Sequence, residues 1–149
     1  MRTLDTREYL STLCELVSEG KEVSVTVTGN SMSPFLIHHR DRIIIGSPER
    51  DLRRGDMVFF VRDNGQYVVH RIRRVRADGY YLIGDGQTET EGPIARSQIF
   101  AIVKRVNRNG RWIGEGDFWW LFFQKVWIRM VPLRRCVVKL YSLVYEHRL

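Results

Sequence analysis

The spacing of apolar residues changes along the chain, and each change marks a different kind of structure. Over residues 5–18 the apolar positions recur every three or four residues, which predicts a short amphipathic helix. Asp5 or Thr6 is the expected N-cap, and Gly20 lies just beyond the expected end. In EVSVTV (22–27) every second residue is valine, as in a strand with one buried face.

Short apolar runs separated by turn residues continue to about residue 114. The turn DNGQ (63–66) favours a two-residue hairpin loop, because Asn and Gly tolerate positive φ. A mainly β domain built on a small antiparallel sheet is therefore predicted. Beyond the first strand, the predicted strands are RIIIG, DMVFFV, QYVVHRIRRV, YYLIGD, QIFAIVKRV and RWIG (42–46, 56–61, 66–75, 80–85, 98–106 and 111–114).

The pattern becomes helical again from residue 118. Apolar residues recur at helical spacing on both sides of Pro132, which predicts two amphipathic helices with a break at the proline. We therefore expect three successive parts: an N-terminal helix, a β-rich domain and a basic, aromatic helical segment (residues 1–20, 21–115 and 116–149).

Composition narrows the class of protein. The chain has 149 residues with 44% hydrophobic content, enough for one domain with a real core. Two cysteines without a CxxC pair indicate no disulfide framework, and no cofactor or metal is expected. The N-terminus is too charged for a signal peptide, and no apolar stretch reaches the roughly 18 residues of a spanning helix. We expect a location in the cytoplasm or at the inner face of the membrane.

A candidate nucleophile, Ser31, lies in TGNSMSP (28–34), directly after the valine-rich strand. A serine in such a turn more often has a structural role, because its hydroxyl satisfies turn backbone groups. The hydroxyl becomes an effective nucleophile only when a base removes its proton. The rest of the sequence must therefore supply that base.

His70 is the histidine best placed to act as the base. It lies within a predicted strand, on the same face as Val68 and Ile72, where a rigid backbone would fix the imidazole. A purely structural, buried histidine fits this position equally well. The remaining histidines are expected to be solvated in a polar loop or to lie near the end of the chain: His38, His39 and His147.

A third group would hold the imidazole in a productive orientation. Asp85 is the candidate, because it leaves a predicted strand through a Gly-Asp-Gly turn. Aspartates are also common in turns without any catalytic role. Glu89 and Glu91 follow in the same predicted loop and are the alternatives.

Four sequence boxes in this order resemble the signal peptidase I and LexA-like serine peptidases. TGNSMSPFL is similar to the nucleophile box of that family, and RRGDMVFFV is similar to its strand in which Gly-Asp precedes hydrophobic residues. VVHRIRRV is similar to the box with the base, and LIGDGQTETEG to the Gly-Asp loop that follows. The resemblance covers about residues 22–106. It implies the small coiled antiparallel β-sheet domain of the signal peptidase/LexA-like type, with a short N-terminal helix and C-terminal amphipathic helices.

The resemblance also implies roles for individual residues. Members of the family use lysine or histidine as the base, and His70 makes this chain the Ser-His type, with Asp85 as the third member. Ser31 would attack a peptide carbonyl, and its backbone N–H would help to hold the oxyanion. Cleavage next to small residues such as Ala or Gly is implied. Residues around Ser31 would position it and the oxyanion: Gly29, Asn30, Met32 and Pro34.

This sequence departs from the family pattern in several places. The Asn after the Gly-Asp of the last box is replaced by Gly86, and the acidic residues that follow become glutamates. Gly29 replaces a serine that often assists the oxyanion hole, and Arg40-Asp41 replaces a Gly-Asp pair. Membrane signal peptidases have an N-terminal spanning helix, which is not found here.

The C-terminal segment is a candidate for contact with a membrane in place of such a helix. Its basic and aromatic residues suit the interface of an anionic bilayer or a partner protein, and equally suit packing on the β domain. The candidate contact residues are Trp119, Trp120, Trp127, Lys125, Arg129, Arg134 and Arg135.

Two other functions compete with an endopeptidase that processes a leader or signal peptide. A LexA-type regulator would cleave itself, but only about 20 residues precede the first strand, without an Ala-Gly site. A basic binding module would use HRIRRVR with Arg53, Arg54 and Arg62 to contact nucleic acid. Charged residues that protect an edge strand explain this cluster better, so nucleic-acid binding is not expected.

Overall fold

The structure, a computed structural model, describes residues 6–147. An N-terminal helix, α1 (Thr6–Ser18), precedes eight strands that form one antiparallel sheet. The mainly β fold predicted from the sequence is confirmed. The strands are β1 (Val23–Thr26), β2 (Arg42–Gly46), β3 (Met57–Val61), β4 (Tyr67–Arg76), β5 (Gly79–Ile83), β6 (Glu91–Ile94), β7 (Ile99–Arg108) and β8 (Arg111–Gly114).

The sheet has the strand order β1-β2-β7-β3-β4-β5-β6, and β8 pairs with β7. Alternate residues of β3 point to opposite faces. Met57 and Phe59 join the larger apolar cluster with α1 and the C-terminal segment, whereas Val58 and Phe60 join a second cluster with Ile72. Burial of both faces explains why this strand is a continuous apolar run.

Helix α1 ends as its sequence predicts. Gly20 has a φ of +86°, and the N–H of Lys21 donates to the carbonyl of Leu16 at 3.1 Å, which closes the helix. Of the two expected N-cap residues, Thr6 is the first helical residue and Asp5 lies outside the described residues.

The hairpin between β3 and β4 differs from the prediction. The N–H of Gly65 donates to the carbonyl of Arg62, and the N–H of Arg62 donates to the carbonyl of Gln66. Three residues therefore form the loop, with Gly65 at a φ of +86°. The two-residue loop with two positive φ values occurs instead between β7 and β8, at Asn109 and Gly110.

Strand β6 was not predicted, because its sequence EGPI contains two residues that disfavour strands. It pairs with β5 at the edge of the sheet, with Glu91 opposite Leu82 and Ile94 opposite Tyr80. Three steps along β6 therefore match two along β5, and this bulge lies at Gly92-Pro93. Glu91 belongs to a strand, not to the loop in which the sequence placed it.

The C-terminal segment is only partly the pair of helices that was predicted. One short helix, α2 (Phe118–Leu121), continues through a π-helical turn (Phe122–Val126) and 3₁₀ turns before α3 (Arg134–His147). The first predicted helix is irregular because the segment bends to insert Trp120, Phe123 and Trp127 into the larger apolar cluster. No helix among residues 6–147 is long and apolar enough to cross a membrane.

Candidate active site

The nucleophile loop (residues 27–41) connects β1 to β2 and is closed at its base. The N–H of Val27 donates to the carbonyl of Asp41 at 2.9 Å, and the N–H of His39 donates to the carbonyl of Val27 at 2.8 Å. The N–H of Gly29 donates to Nδ1 of His38 at 2.6 Å. His38 is exposed, as predicted, but it also fixes the conformation of the loop.

Asp41 anchors the far end of the nucleophile loop. Its buried carboxylate accepts the N–H of Ile37 at 2.8 Å and the N–H of Asn109 at 3.0 Å. Burial alone would raise the pKa of Asp41, but the guanidinium of Arg40 and the two backbone donors lower it overall. The Asp41 carboxylate therefore ties the loop to the β7–β8 hairpin.

Ser31 lies at the tip of the nucleophile loop, half-buried, between the exposed Asn30 and the buried Met32. The N–H of Ser33 donates to the carbonyl of Asn30, and the peptide bond before Pro34 is cis. Within the described part of the chain, neither the N–H nor the hydroxyl of Ser31 has a hydrogen-bond partner. Both groups remain available to a ligand.

A cleft of about 700 Å³ brings the predicted nucleophile and base together. Ser31 and Met32 form one wall, and the first half of β4, up to His70, forms another. Tyr9 and Leu10 of α1 also line the cleft. Its remaining lining combines the apolar residues Val25, Val27, Leu36, Ile43 and Phe59 with polar ones such as Arg62, Gln66 and Gln87, and most of the lining surface is apolar.

His70 lies in β4 opposite Val58, with its ring 5.7 Å from that of Phe60. The side chain is only 1% exposed, and burial lowers its pKa, although the negative charge of Glu91 partly opposes this shift. The imidazole is therefore neutral at pH 7. Nε2 has no hydrogen-bond partner among the described residues, so Ser31 and His70 share a cleft without a hydrogen bond between them.

The carboxylate in contact with the imidazole is that of Glu91. Its Oε1 lies 3.0 Å from Nδ1 of His70, in an orientation that does not satisfy hydrogen-bond geometry, so Glu91 acts on the ring mainly through its charge. Arg62 holds the same carboxylate with two hydrogen bonds of 2.8 and 3.0 Å. Burial would raise the pKa of Glu91, but Arg62 and His70 lower it overall.

Asp85, the first candidate for the third catalytic residue, has a different partner. Its two carboxylate oxygens accept hydrogen bonds from Nε and Nη2 of Arg71 at 2.8 and 2.9 Å, and both side chains are buried. Arg71 also donates to the carbonyl of Gly55 at 2.8 Å. Glu89, the other alternative, is exposed. The structure therefore places Glu91 against His70 and assigns Asp85 to a buried ion pair.

Gly84 and Gly86, to which the sequence analysis assigned no role, connect Asp85 to Ser31. They flank Asp85 in the acid loop (residues 84–87). The N–H of Gly86 donates to the carbonyl of Ser31 at 2.9 Å. A Cβ at Gly84 would overlap the Ser31 carbonyl oxygen, and one at Gly86 would lie 2.6 Å from the carbonyl oxygen of Ser33. The Gly-Asp-Gly sequence was the available signal, because glycine often marks close backbone approach.

The four arginines of the HRIRRVR run have two kinds of surroundings. Arg71 is paired with Asp85, and Arg73 donates to Oγ1 of Thr90 at 2.7 Å. Arg62, from the neighbouring hairpin, is engaged by Glu91. Arg62, Arg71 and Arg73 therefore stabilise the site internally, whereas Arg74 and Arg76 are exposed.

The predicted membrane or partner contacts of the C-terminal segment divide into two groups. Trp120, Trp127 and Arg134 are buried within the protein, which corresponds to the alternative that the segment packs on the β domain. Burying these aromatic rings against the sheet removes them from water within the chain itself. The exposed members of the predicted set are Trp119, Lys125, Arg129 and Arg135.

A serine and a neutral histidine that line one cleft of an antiparallel sheet define a site of the serine-peptidase class. Residues 2–107 match the family model described as Peptidase S24-like, and the chain belongs to this family. The function is therefore of the serine-peptidase type, a type that includes LexA-like self-cleaving proteins. No curated protein matches the chain.

Proposed function

We propose that this protein is a serine endopeptidase that cleaves a separate leader or signal-type peptide. Ser31 is the nucleophile, His70 is the general base, and the charge of Glu91 stabilises the imidazolium. The observation that carries the proposal is the position of Ser31 and His70 in one cleft, with the carboxylate of Glu91 3.0 Å from the far nitrogen of the imidazole.

The chemistry follows from these positions. Nε2 of His70 takes the proton of Ser31 as its oxygen attacks the scissile carbonyl, and the imidazolium then gives this proton to the leaving amine. Hydrogen bonds in unliganded active sites are often longer than in the substrate complex, and the mechanism requires Oγ of Ser31 and Nε2 of His70 to come within hydrogen-bond distance when the peptide binds. The charge of Glu91 favours the imidazolium that forms in this step.

The oxyanion is stabilised by the backbone of the nucleophile loop. The N–H of Ser31 has no acceptor within the described residues and is the donor we assign. The N–H of Gly29 is not a donor for the oxyanion, because Nδ1 of His38 already accepts it. Gly29 therefore contributes through its φ of +82°, which turns the chain at the start of the loop.

An extended peptide fits the cleft because two strand edges border it. Strand β1 lies at the edge of the sheet, and β5 pairs with β4 only from Arg71 onward, so the first half of β4 keeps an unpaired edge. Backbone groups on such edges bind an added strand. The largely apolar lining favours apolar side chains next to the scissile bond, and the resemblance to signal peptidases favours small ones.

Cleavage of a separate peptide is favoured over self-cleavage, because the N-terminal segment next to the cleft is helical. Besides the nucleophile loop and the sheet, the described residues that line it include Tyr9 and Leu10, which belong to helix α1. A peptidase of this type binds its substrate in an extended conformation. Self-cleavage in α1 would therefore require the helix to unfold.

A fluorophosphonate probe tests the nucleophile without knowledge of the substrate. We expect covalent labelling of the purified protein, none in Ser31→Ala and at least tenfold slower labelling in His70→Ala. Ser33→Ala, two residues along the same loop, is the matched control and keeps the rate of the original chain. Labelling that persists in Ser31→Ala contradicts the assignment.

The mode of cleavage is tested by mass spectrometry. The original chain and Ser31→Ala are incubated alone and with a library of extended peptides. Cleavage of library peptides by the original chain alone supports the proposal. Loss of mass from the protein itself, at a rate independent of its concentration and absent in Ser31→Ala, supports a LexA-like self-cleaving protein instead.

A further inference from the structure

The acid loop is held on one side by the nucleophile loop and on the other by the C-terminal segment. Among its hydrogen-bonding groups, the N–H of Gly86 donates toward Ser31. Three carbonyls of the loop accept hydrogen bonds from side chains far along the chain. These side chains, Trp127 and Arg134, lie beyond residue 107, where the family match ends.

Trp127 and Arg134 bind three carbonyls of the acid loop. Nε1 of Trp127 donates to the carbonyl of Asp85 at 2.7 Å. Nη1 of Arg134 donates to the carbonyl of Gly84 at 3.0 Å and to that of Gln87 at 2.9 Å. Both side chains are buried, so these bonds have no competition from bulk water.

The two side chains also hold each other. Nη2 of Arg134 donates to the carbonyl of Trp127 at 3.0 Å, and the guanidinium carbon lies 5.2 Å from the centre of a Trp127 ring. A buried guanidinium is costly unless it is well bonded. The three hydrogen bonds of Arg134 go to main-chain carbonyls, and its buried Nε has no partner among the described residues. No carboxylate is among these partners, which distinguishes Arg134 from Arg71 in its ion pair with Asp85.

We propose that Trp127 and Arg134 are positioning residues for the peptidase reaction: by fixing the acid loop from behind, they fix Ser31 relative to His70. This inference rests on the proposed function of Ser31. Only the acid loop lies between these two side chains and Ser31, because the Gly86 N–H that donates to the Ser31 carbonyl belongs to the loop that they hold. A small displacement of a nucleophile lowers its rate strongly, since attack requires close alignment.

The first test does not depend on activity. Amide hydrogen exchange is measured by NMR on the full chain, with Gly86 as the reporter and Ala101 of β7 as the internal reference. In Trp127→Phe and Arg134→Lys we expect the protection of the Gly86 amide to fall about tenfold or more, while that of Ala101 stays unchanged. Trp127→Phe keeps the aromatic ring and removes the N–H, so it should remain folded.

Trp120→Phe is the matched structural control. Trp120 is buried in the same segment and the same apolar cluster, and it makes no hydrogen bond to the acid loop. Its substitution should leave the Gly86 amide protected. Equal protection in Trp127→Phe, Arg134→Lys and the original chain overturns the inference, as does equal loss in Trp120→Phe.

The second test measures the rate of fluorophosphonate labelling across pH. In Trp127→Phe and Arg134→Lys we expect the limiting rate to fall about 10- to 100-fold. The pH midpoint should stay in place, because neither side chain contacts His70 or Glu91. A shifted midpoint with an unchanged limiting rate overturns the positioning role. Failure of the original chain to label refutes the proposed function, and the exchange experiment then decides the present inference alone.

Discussion

The carboxylate of Glu91 lies 3.0 Å from Nδ1 of His70, while Asp85 is bound to Arg71. The two acidic residues are six positions apart and both follow β5, yet only one of them contacts the imidazole. Arg62 holds Glu91 with two hydrogen bonds, so its carboxylate is oriented before any substrate binds. The distinction between the two carboxylates leads to different predictions for their removal.

Glu91→Gln should lower the rate of Ser31 labelling about 10- to 100-fold, because the imidazolium loses the charge that stabilises it. The same change removes an influence that raises the pKa of His70. Since the neutral imidazole is the active form, the acid limb of the pH–rate profile should move to lower pH. Glu89→Gln, exposed in the same region, is the control and should leave both the rate and the acid limb unchanged.

Asp85→Asn should reduce the free energy of unfolding by about 3–5 kcal/mol, because it leaves the buried guanidinium of Arg71 without its counter-charge. Urea unfolding measures this quantity. Glu115→Gln breaks the exposed pair with Arg53 and should cost less than about 1 kcal/mol. The charge of Asp85 raises the pKa of His70 less than that of Glu91 does, so a shift of the acid limb in folded Asp85→Asn as large as that in Glu91→Gln contradicts the assignment of Glu91.

Gly86→Ala should slow labelling and destabilise the fold by about 1–3 kcal/mol, because the added Cβ lies 2.6 Å from the Ser33 carbonyl oxygen and forces the two loops apart. Gly84→Ala should have the same effect through the Ser31 carbonyl. Gly114→Ala is the matched control, since its nearest atoms lie 3.8 Å from the added Cβ. Unchanged labelling in both loop variants means that the acid loop does not position Ser31.

The stability of the protein should fall as the pH decreases below about 6.5. Burial lowers the pKa of His70 from 6.5 in the folded state, so the unfolded chain binds more protons between that value and the lowered one. The free energy of unfolding therefore rises with pH in this window, by no more than about 1.4 kcal/mol per pH unit for one group.

His70→Gln isolates the contribution of this residue. Urea unfolding of both chains at several values between pH 7.5 and 5 should give a shallower pH dependence for the variant. Identical slopes contradict a buried, neutral His70. The variant also retains a side chain of comparable length opposite Val58, which limits the packing change.

Much of the fold could be predicted from local pattern. The period of two in β1 and the dense apolar runs of β2 and β3 matched the observed strands within one or two residues. Strand β6 escaped prediction because Gly92 and Pro93 carry no strand signal, and the sheet imposes pairing on them. Propensity is a weak guide at such an edge, where neighbouring strands decide the conformation.

The C-terminal segment shows the same limit. Its helical spacing was visible, but the spacing is the same for a helix on a membrane and for one packed on its own domain. Burial of Trp127 and Arg134 depends on where the acid loop lies, and their hydrogen bonds to Asp85 and Gly84 span 42 and 50 residues of the chain. Sequence spacing holds no information on that contact.

By itself, the sequence determined the mainly β fold, because alternation and turn residues are local properties. It also indicated Ser31 and His70 as candidates, through the resemblance of its ordered boxes to a peptidase family. Only the tertiary structure decided which carboxylate contacts the imidazole. The bulge at Gly92-Pro93 and the pairing of Glu91 with Leu82 place that carboxylate beside His70. Arg71 and Asp85, in turn, form an ion pair because both are buried and neither charge could remain there alone.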